Sequence, residues 1–238
     1  MILCLDSGNS RIKYGLWADG VWLDSGALVH ADWPALGQLV ARWSTPTRIM
    51  LANVAGPAAE ANIRQGLAAW AESIEVVRSS AAACGVRSHY QYPERLGVDR
   101  WCALIGARSL YAGALLVVMA GTATTIDTLD AGGNFLGGFI LPGQHLMLSA
   151  LARDTAALPF ADGQYAGLPR NTEDAIVSGA IEAQAGAIER AWQRLPIGER
   201  HCLLSGGNAP MLAQHLAMPA VQMENLPLYG LKEMARQT

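Results

Sequence analysis

The residues best suited to chemistry at the start of the chain lie in one short turn, Asp6-Ser7-Gly8-Asn9-Ser10. An apolar run, 2–5, delivers the carboxylate of Asp6 into this turn, and an alternating segment, 11–17, leads away from it. The pattern predicts a strand, a turn and a second strand. Because glycine allows close approach and successive N–H groups can converge on an anion, the turn suits the phosphates and metal of a nucleotide. An ordinary hairpin turn without a ligand would also explain this sequence pattern.

A second candidate segment, Gly97-Val98-Asp99-Arg100, sets a carboxylate beside a guanidinium. It ends a stretch without periodicity, 79–97, and long irregular segments in compact domains tend to be functional loops. The local pattern alone favours a simpler interpretation, in which Asp99 caps a helix over 100–111.

A third segment, Gly121-Thr122-Ala123-Thr124-Thr125, repeats the spacing of the first. Gly8 lies 12 residues before the glycine of the following turn, Gly20, and Gly121 lies 12 residues before Gly133. The equal spacing, with the same strand order around both segments, predicts a fold unit that occurs twice.

The elements that must position these segments also repeat. In the first half, strands are predicted within 2–29, at 48–54 and at 74–77, with helices at 33–43 and 56–73. In the second half, strands are predicted at 114–119, 126–130, 135–140, 203–205 and 221–222, with helices at 145–156 and 172–194. We therefore predict an α/β protein of two duplicated ribonuclease H-like domains with β-β-β-α-β-α-β order. The domains are expected at 1–113 and 114–238, with an ATP cleft between them.

Composition excludes several other classes of function. The chain has 238 residues, of which 51% are apolar and 16% charged, and its net charge of −3 leaves no basic surplus for nucleic acid. Its four cysteines and five histidines show no metal-ligand spacing, which favours a reducing compartment without a zinc site. No stretch approaches the roughly 20 apolar residues of a membrane span, and no signal peptide pattern is present. We expect a soluble, cytoplasmic protein without a nucleic-acid or membrane partner.

Four motifs resemble those of the type III pantothenate kinases, which phosphorylate pantothenate at the first step of coenzyme A synthesis. They are Asp6-Ser7-Gly8-Asn9-Ser10 for the D-x-G-N-T loop, Gly97-Val98-Asp99-Arg100 for G-x-D-R, Gly121-Thr122-Ala123-Thr124-Thr125-Ile126-Asp127 for G-T-A-T-T-x-D, and Gly137-Gly138-Phe139-Ile140-Leu141-Pro142-Gly143 for G-G-x-I-x-P-G. Ser10 stands where the family has threonine. With Asn171-Thr172, the motifs span most of the chain in the family's order, and this makes the resemblance specific.

The resemblance implies an ATP-dependent kinase that uses Mg²⁺ and converts pantothenate to 4′-phosphopantothenate. It implies that Asp99 accepts the proton of the pantothenate hydroxyl, that Arg100 binds the pantothenate carboxylate, and that Asp6 faces the metal. The residues expected at ATP are Asp6, Ser7, Gly8, Asn9, Ser10, Arg11, Ile12, Lys13 and Thr122. Those expected at pantothenate are Tyr90, Gly97, Val98, Asp99, Arg100 and Thr172. By local pattern, Tyr90 could instead be a packed aromatic and Thr172 the cap of the long helix.

One position departs from the family. Where the family has an aspartate that binds potassium or ammonium, this chain has Met119, which aligns with Asp6 of the first segment. A thioether is a poor ligand for a hard cation, so either the requirement for the cation is lost or another group, an ammonium ion or a lysine, takes over the charge. We therefore expect activity that depends less on potassium than the resemblance implies.

The resemblance leaves alternatives open and also implies a quaternary structure. The family includes relatives described as accessory factors for virulence gene transcription, so a non-catalytic regulator is one alternative. A phosphatase or polyphosphate hydrolase on the same fold is another. The presence of Asp6, Asp99, Arg100 and Thr122 argues against the regulator. The family is dimeric, with substrate near the subunit interface, and apolar residues of 172–194 that look exposed are compatible with a homodimer.

Overall fold

A computed structural model describes residues 1–156 and 158–237 of the chain. Two compact units divide it. The first contains Met1–Tyr111, the short segment Gly133–Phe135 and the C-terminal segment from Asn225 onward. The second contains Ala112–Gly132 and Leu136–Glu224.

Twelve strands and seven α-helices are described in these residues. The strands are β1 (Ile2–Ser7), β2 (Arg11–Ala18), β3 (Val21–Val29), β4 (Arg48–Asn53), β5 (Ile74–Val76), β6 (Ala82–Ala83), β7 (Val86–Ser88), β8 (Ala114–Ala120), β9 (Ala123–Leu129), β10 (Asn134–Pro142), β11 (Arg200–Ser205) and β12 (Val221–Gln222). The helices are α1 (Leu36–Arg42), α2 (Pro57–Gly66), α3 (Val98–Leu110), α4 (Gln144–Asp154), α5 (Thr172–Arg194), α6 (Ala209–Ala213) and α7 (Leu226–Gln237). Short 3₁₀ turns at His30–Ala35, Ala68–Ser73 and Pro93–Arg95 complete the regular structure.

The sheet of the first unit has the strand order β3-β2-β1-β4-β5. β1 is antiparallel to β2 and parallel to β4, and every residue of β1 is buried. A strand buried on both faces is typical of a sheet covered on two sides, and its continuous apolar run explains the sequence pattern. One face packs against α1 and α2 through Leu36 and Ile63.

The second unit repeats this sheet. The order β10-β9-β8-β11-β12 matches the first order strand for strand, and β8 is again antiparallel to the next strand and parallel to β11. Leu116 and Val118 of β8 pack with Ile188 and Trp192 of α5 in a core of buried residues. The predicted α/β class and its duplication are confirmed.

The C-terminal helix α7 packs against α3 of the first unit. Gly106 and Gly230 let the two backbones approach, because a Cβ at Gly106 would overlap the carbonyl oxygen of Leu226 and one at Gly230 would overlap that of Cys102. The sequence-based domains, 1–113 and 114–238, differ from the units here, since α7 and Gly133–Phe135 belong to the first unit.

The large apolar side chains of α5 are buried, although exposed apolar residues were expected on this helix from the sequence. Ile176, Ile181 and Ile188 are buried within the second unit, so the prediction that apolar residues of this helix are exposed was wrong for its large side chains. Exposed positions of α5 carry small or polar residues, such as Gly179 and Gly186. Across the described ranges, no helix is both long enough and apolar enough to cross a membrane.

Candidate active site

The first hairpin joins β1 to β2 through a tight turn. The amide of Gly8 donates to the carbonyl of Arg11 at 3.1 Å, which closes the turn around Asn9 and Ser10. His30 supports it from the next strand's end, because its Nε2 lies 2.6 Å from the carbonyl oxygen of Gly8. A carbonyl only accepts, so Nε2 carries the proton in this contact. No local pattern pointed to His30, which lies 22 residues from Gly8.

Asp6, the next-to-last residue of β1, is a buried carboxylate with one oxygen that is unsatisfied within the described part of the chain. Its side chain is only 6% exposed, and its Oδ1 has no hydrogen-bond partner among the residues described. Lys13 pairs with it directly across the antiparallel ladder, so the two side chains share a face of the sheet. Burial raises the pKa of Asp6 from 3.8 to about 6, while the charge of Lys13 lowers it and that of Asp99 raises it.

The other predicted residues of this hairpin divide between core and solvent. Asn9, Ser10 and Arg11 are exposed, as a loop that meets a ligand requires. The side chain of Ile12 packs in the core, so only its backbone remains for a ligand. Ser7 is fully buried, and its Oγ has no partner within the described structure.

Asp99 lies in the first turn of α3 and does not cap it. The helix begins at Val98 with Gly97 in the N-cap position, so the prediction that Asp99 caps a helix at 100–111 was wrong. Its Oδ1 accepts a 2.8 Å hydrogen bond from the amide of Arg100, and the same oxygen lies 2.8 Å from where a Cβ of Gly97 would stand. The carboxylate therefore folds back over a glycine, and the half-exposed Asp99 stays at the helix start.

Arg100 is a buried cation held by aromatic rings. It is 5% exposed, and its Nη1 donates to the hydroxyl of Tyr90 at 3.0 Å. The guanidinium carbon also lies 5.6 Å from the centre of the Tyr90 ring and 5.9 Å from that of Phe135. Such contacts fix a guanidinium in one orientation. Sequence reasoning missed Phe135, whose only signal was its place in a predicted strand.

The carboxylates of Asp6 and Asp99 both lie near the thiol of Cys102, and Asp99 lies near enough to Asp6 to affect its ionisation. Burial is the main cause that raises the pKa of Cys102, and the negative charges of Asp6 and Asp99 raise it further. The charge of Asp99 also raises the pKa of Asp6. The first unit thus brings together Asp6, Lys13 and Asp99 around the end of β1 and the start of α3.

The second hairpin joins β8 to β9 by a shorter turn. The amide of Gly121 donates to the carbonyl of Ala123 at 3.0 Å, and Thr122 stands exposed between them. Asn208 holds the turn with two hydrogen bonds. Its backbone N–H donates to the carbonyl of Ala120 at 3.0 Å, and its side-chain Nδ2 donates to the carbonyl of Gly121 at 3.2 Å.

Of the two threonines that follow this turn, Thr124 has a side-chain hydrogen-bond partner and Thr125 lies on the other face of the sheet. Thr124 is buried, and its Oγ1 donates to Oε1 of Gln184 on α5 at 2.6 Å. Thr125 points to the opposite face because side chains alternate along a strand. These positions agree with an interpretation of Thr124 as a strand residue rather than a ligand of phosphate.

Thr172 lies at the start of α5, where it lines an open groove of about 920 Å³ in the second unit. Asn171 is the N-cap, with its side-chain oxygen accepting from the amide of Asp174 at 2.8 Å, so the interpretation of Thr172 as the cap was wrong. Met147, Leu151 and other apolar side chains of α4 form the opposite wall. Thr172 and Thr122 belong to a different unit from Tyr90, Asp99 and Arg100.

Comparison with protein families gives a match over residues 2–194 to the family model for type III pantothenate kinase. A type III pantothenate kinase of Dechloromonas aromatica (strain RCB) is 61% identical over 236 residues, which are 99% of each chain. That of Aromatoleum aromaticum (strain DSM 19018 / LMG 30748 / EbN1) is 50% identical over 238 residues, 100% of this chain and 98% of the relative.

Solved structures show the same fold at low identity. A Campylobacter jejuni protein described as a Baf family transcriptional activator has a TM-score of 0.66 at 21% identity, covering 99% of this chain and 98% of its own. A Sinorhizobium meliloti protein described as a 2-dehydro-3-deoxygalactonokinase has a TM-score of 0.64 at 16% identity, covering 100% and 99%. At these identities the likeness shows the fold alone.

Proposed function

Because the chain belongs to the type III pantothenate kinase family, we propose that it transfers the γ-phosphoryl group of ATP to the primary hydroxyl of pantothenate. The product is 4′-phosphopantothenate, and the reaction is the first step of coenzyme A synthesis. Family membership over nearly the whole chain carries this proposal. The Asp6, Asp99 and Arg100 side chains of the first unit provide residues for its chemistry.

The first hairpin fits the phosphates and a magnesium ion. Phosphoryl transfer needs mainly positioning and neutralisation of charge, and Mg²⁺ bound near the phosphates would supply much of both. The unsatisfied, buried Oδ1 of Asp6 is the kind of hard oxygen that Mg²⁺ or its bound water takes. The exposed backbone of Asn9 and Ser10, with Arg11 and Lys13 nearby in sequence, would face the phosphates.

Asp99 is the proposed general base. A carboxylate needs only to accept the hydroxyl proton as the new P–O bond forms, so its ordinary acidity is no obstacle. The hydrogen bond from the amide of Arg100 and the contact with Gly97 would hold one carboxylate oxygen in place and leave the other for the acceptor hydroxyl.

Arg100 would bind the pantothenate carboxylate, since its planar fork donates paired hydrogen bonds to such a group. Tyr90 supports this role by fixing the guanidinium through its hydroxyl and ring. Gly97 and Val98 border the same helix start and would contact the substrate. Thr122 would reach the terminal phosphates and Thr172 the pantothenate, as exposed hydroxyls of the second unit.

A coupled assay with ATP, Mg²⁺ and pantothenate tests the reaction, and Asp99→Asn tests the base. We expect the variant to lose about a hundredfold or more in kcat, the range of a positioned general base, with ATP affinity kept. The matched control is Glu94→Gln, which changes an exposed acid shortly before the site and should turn over like the wild type. Equal kcat for Asp99→Asn and wild type would remove Asp99 from the mechanism. Absence of turnover in the wild type would reject the kinase proposal itself.

We also propose that the chain acts as a homodimer. Its support is a set of exposed, large apolar side chains on β10 and α4: Leu136, Phe139, Ile140, Leu146 and Leu151. Large exposed apolar areas are typical of interaction surfaces in soluble proteins, and these side chains are the apolar groups that such a surface would use.

Light scattering coupled to size exclusion tests the dimer. The wild type should elute at twice the mass of one chain, and Ile140→Asp, which places a charge where 65% of the side chain is exposed, should dissociate it. The control is Ile197→Asp, at a side chain 97% exposed in a loop. A monomeric wild type at micromolar concentration would contradict the proposal.

A further inference from the structure

Two buried hydroxyls of the second unit have no hydrogen-bond partner among the protein atoms described. They are Oγ1 of Thr125, on β9, and Oγ of Ser205, at the end of β11. A buried polar group left unsatisfied costs roughly 1–3 kcal/mol, so native structures almost always satisfy it with protein, water or ligand. Two such groups on the strands that flank one residue therefore indicate a polar site around that residue.

Strand pairing places both hydroxyls beside Met119. Met119 of β8 pairs with Thr125 on the antiparallel side and with Ser205 on the parallel side. Directly paired residues send their side chains to the same face of a sheet. The half-buried thioether thus has a hydroxyl on either side.

The first unit has the same arrangement with different chemistry. Asp6 is the next-to-last residue of β1, as Met119 is of β8, and the residues paired with Asp6 on the two neighbouring strands are Lys13 and Ala52. A carboxylate, an ammonium and a methyl group in one copy therefore correspond to a thioether and two hydroxyls in the other. The corresponding position of the second unit therefore carries neither the negative nor the positive charge of the first.

A monovalent cation does not fit this site. Moving a charge out of water is costly without a countercharge, and neither the thioether nor the two hydroxyls supply one. The next carboxylate on this face, Asp127, pairs with Val117 and so lies about 7 Å further along the strand. The backbone of Gly138 packs on its Oδ1, since a Cβ there would overlap that oxygen.

We propose that the hydroxyls of Thr125 and Ser205 hold water beside Met119, and that this chain therefore needs no potassium or ammonium ion there. The two hydroxyls lie on strands about 10 Å apart, so each takes its own water molecule, which can accept or donate a hydrogen bond and needs no countercharge. The catalytic part of this inference rests on the proposed kinase function, whereas the binding part does not.

The test compares KCl, NaCl and tetramethylammonium chloride at equal ionic strength. For the wild type without nucleotide, we expect the same Tm in all three salts, and turnover that changes by no more than about twofold among them. Met119→Asp restores a carboxylate between the hydroxyls, so its Tm should rise by several degrees in KCl alone, and its turnover should become potassium-dependent.

A potassium-specific rise in the Tm of the wild type, or steep activation by KCl, would overturn the inference. Should Met119→Asp fail to fold, Ser205→Asp supplies the carboxylate from the neighbouring strand and makes the same prediction. The Tm series does not depend on turnover. A wild type that is inactive in every salt would therefore reject the kinase proposal without contradicting the inference about the water site.

Discussion

The first strand of the first hairpin carries a buried carboxylate, Asp6, one residue before its end, and a lysine pairs with it on the next strand. At the same place in the second hairpin stands a thioether, Met119, with a hydroxyl on each neighbouring strand. The strand order around the two hairpins is the same. The sheet therefore fixes where a side chain at the strand end stands, and it leaves the charge of that side chain free to differ.

The difference in charge also separates the energetics of the two hairpins. Burial makes ionisation of Asp6 unfavourable, as the raised pKa shows, and Lys13 offsets only part of that cost. The second hairpin carries no such ionisation cost at Met119. Its unsatisfied hydroxyls cost less than a buried charge and can be satisfied by water.

The largest expected effect is on catalysis and separates the two hairpins directly. Asp6→Asn keeps the shape of the side chain and removes the charge that Mg²⁺ would meet, so kcat should fall by about 10²–10³-fold. Met119→Leu changes the corresponding side chain of the second hairpin and should alter kcat by at most about threefold. Steady-state kinetics at saturating ATP and Mg²⁺ measure both. Similar losses in the two variants would contradict the division of roles between the hairpins.

The second prediction concerns stability of the first unit without nucleotide or metal. The folded-state pKa of Asp6, about 6, exceeds its ordinary value of 3.8, so the folded protein binds this proton more tightly than the unfolded chain. The resulting stabilisation is present below pH 4 and is lost as pH rises through 6. At pH 8 the ionised carboxylate should therefore cost about 3 kcal/mol, which Asp6→Asn avoids.

Denaturant unfolding of wild type and Asp6→Asn from pH 4 to pH 8 measures this cost. The variant should be the more stable protein at pH 8, and the difference should shrink toward pH 4 as the wild-type carboxyl becomes protonated. Thr125→Val is the control in the second hairpin, because it removes an uncharged group, and its difference from the wild type should not change with pH. A gap for Asp6→Asn that stays constant with pH would show that the carboxyl is not the cause.

Much of the fold followed from local patterns. The long helix 172–194 has the predicted bounds, because its apolar period and the turn residues before it defined it locally. The short strand 221–222 also has the predicted bounds. The residues that cap the helices were harder to predict from the sequence. Asp99 and Thr172 stand one or two residues inside their helices, and the cap positions went to Gly97 and Asn171.

The remaining differences arise from contacts between residues far apart in sequence. The packing of α7 on α3 depends on Gly106 and Gly230, and no local period records such a pairing. The support of Gly8 by His30 and of Arg100 by Phe135 is likewise visible only after folding. Motif residues such as Asp6 and Asp99 could be found in the sequence, whereas the groups that hold the site residues in place could not.

The smallest expected effect tests whether the first unit orients the acceptor substrate. Tyr90→Phe keeps the ring against Arg100 and Phe135 and removes the hydroxyl that accepts from the guanidinium. A hydrogen bond to a charged group contributes about 1.5–3 kcal/mol, but Arg100 keeps its other contacts, so KM for pantothenate should rise only about three- to tenfold with kcat nearly unchanged. Tyr92→Phe is the matched control, because Tyr92 also stacks on an arginine, Arg95, at 4.7 Å. If both variants raised KM equally, or if Tyr90→Phe lowered kcat instead, the tyrosine hydroxyl would not be acting through the orientation of Arg100.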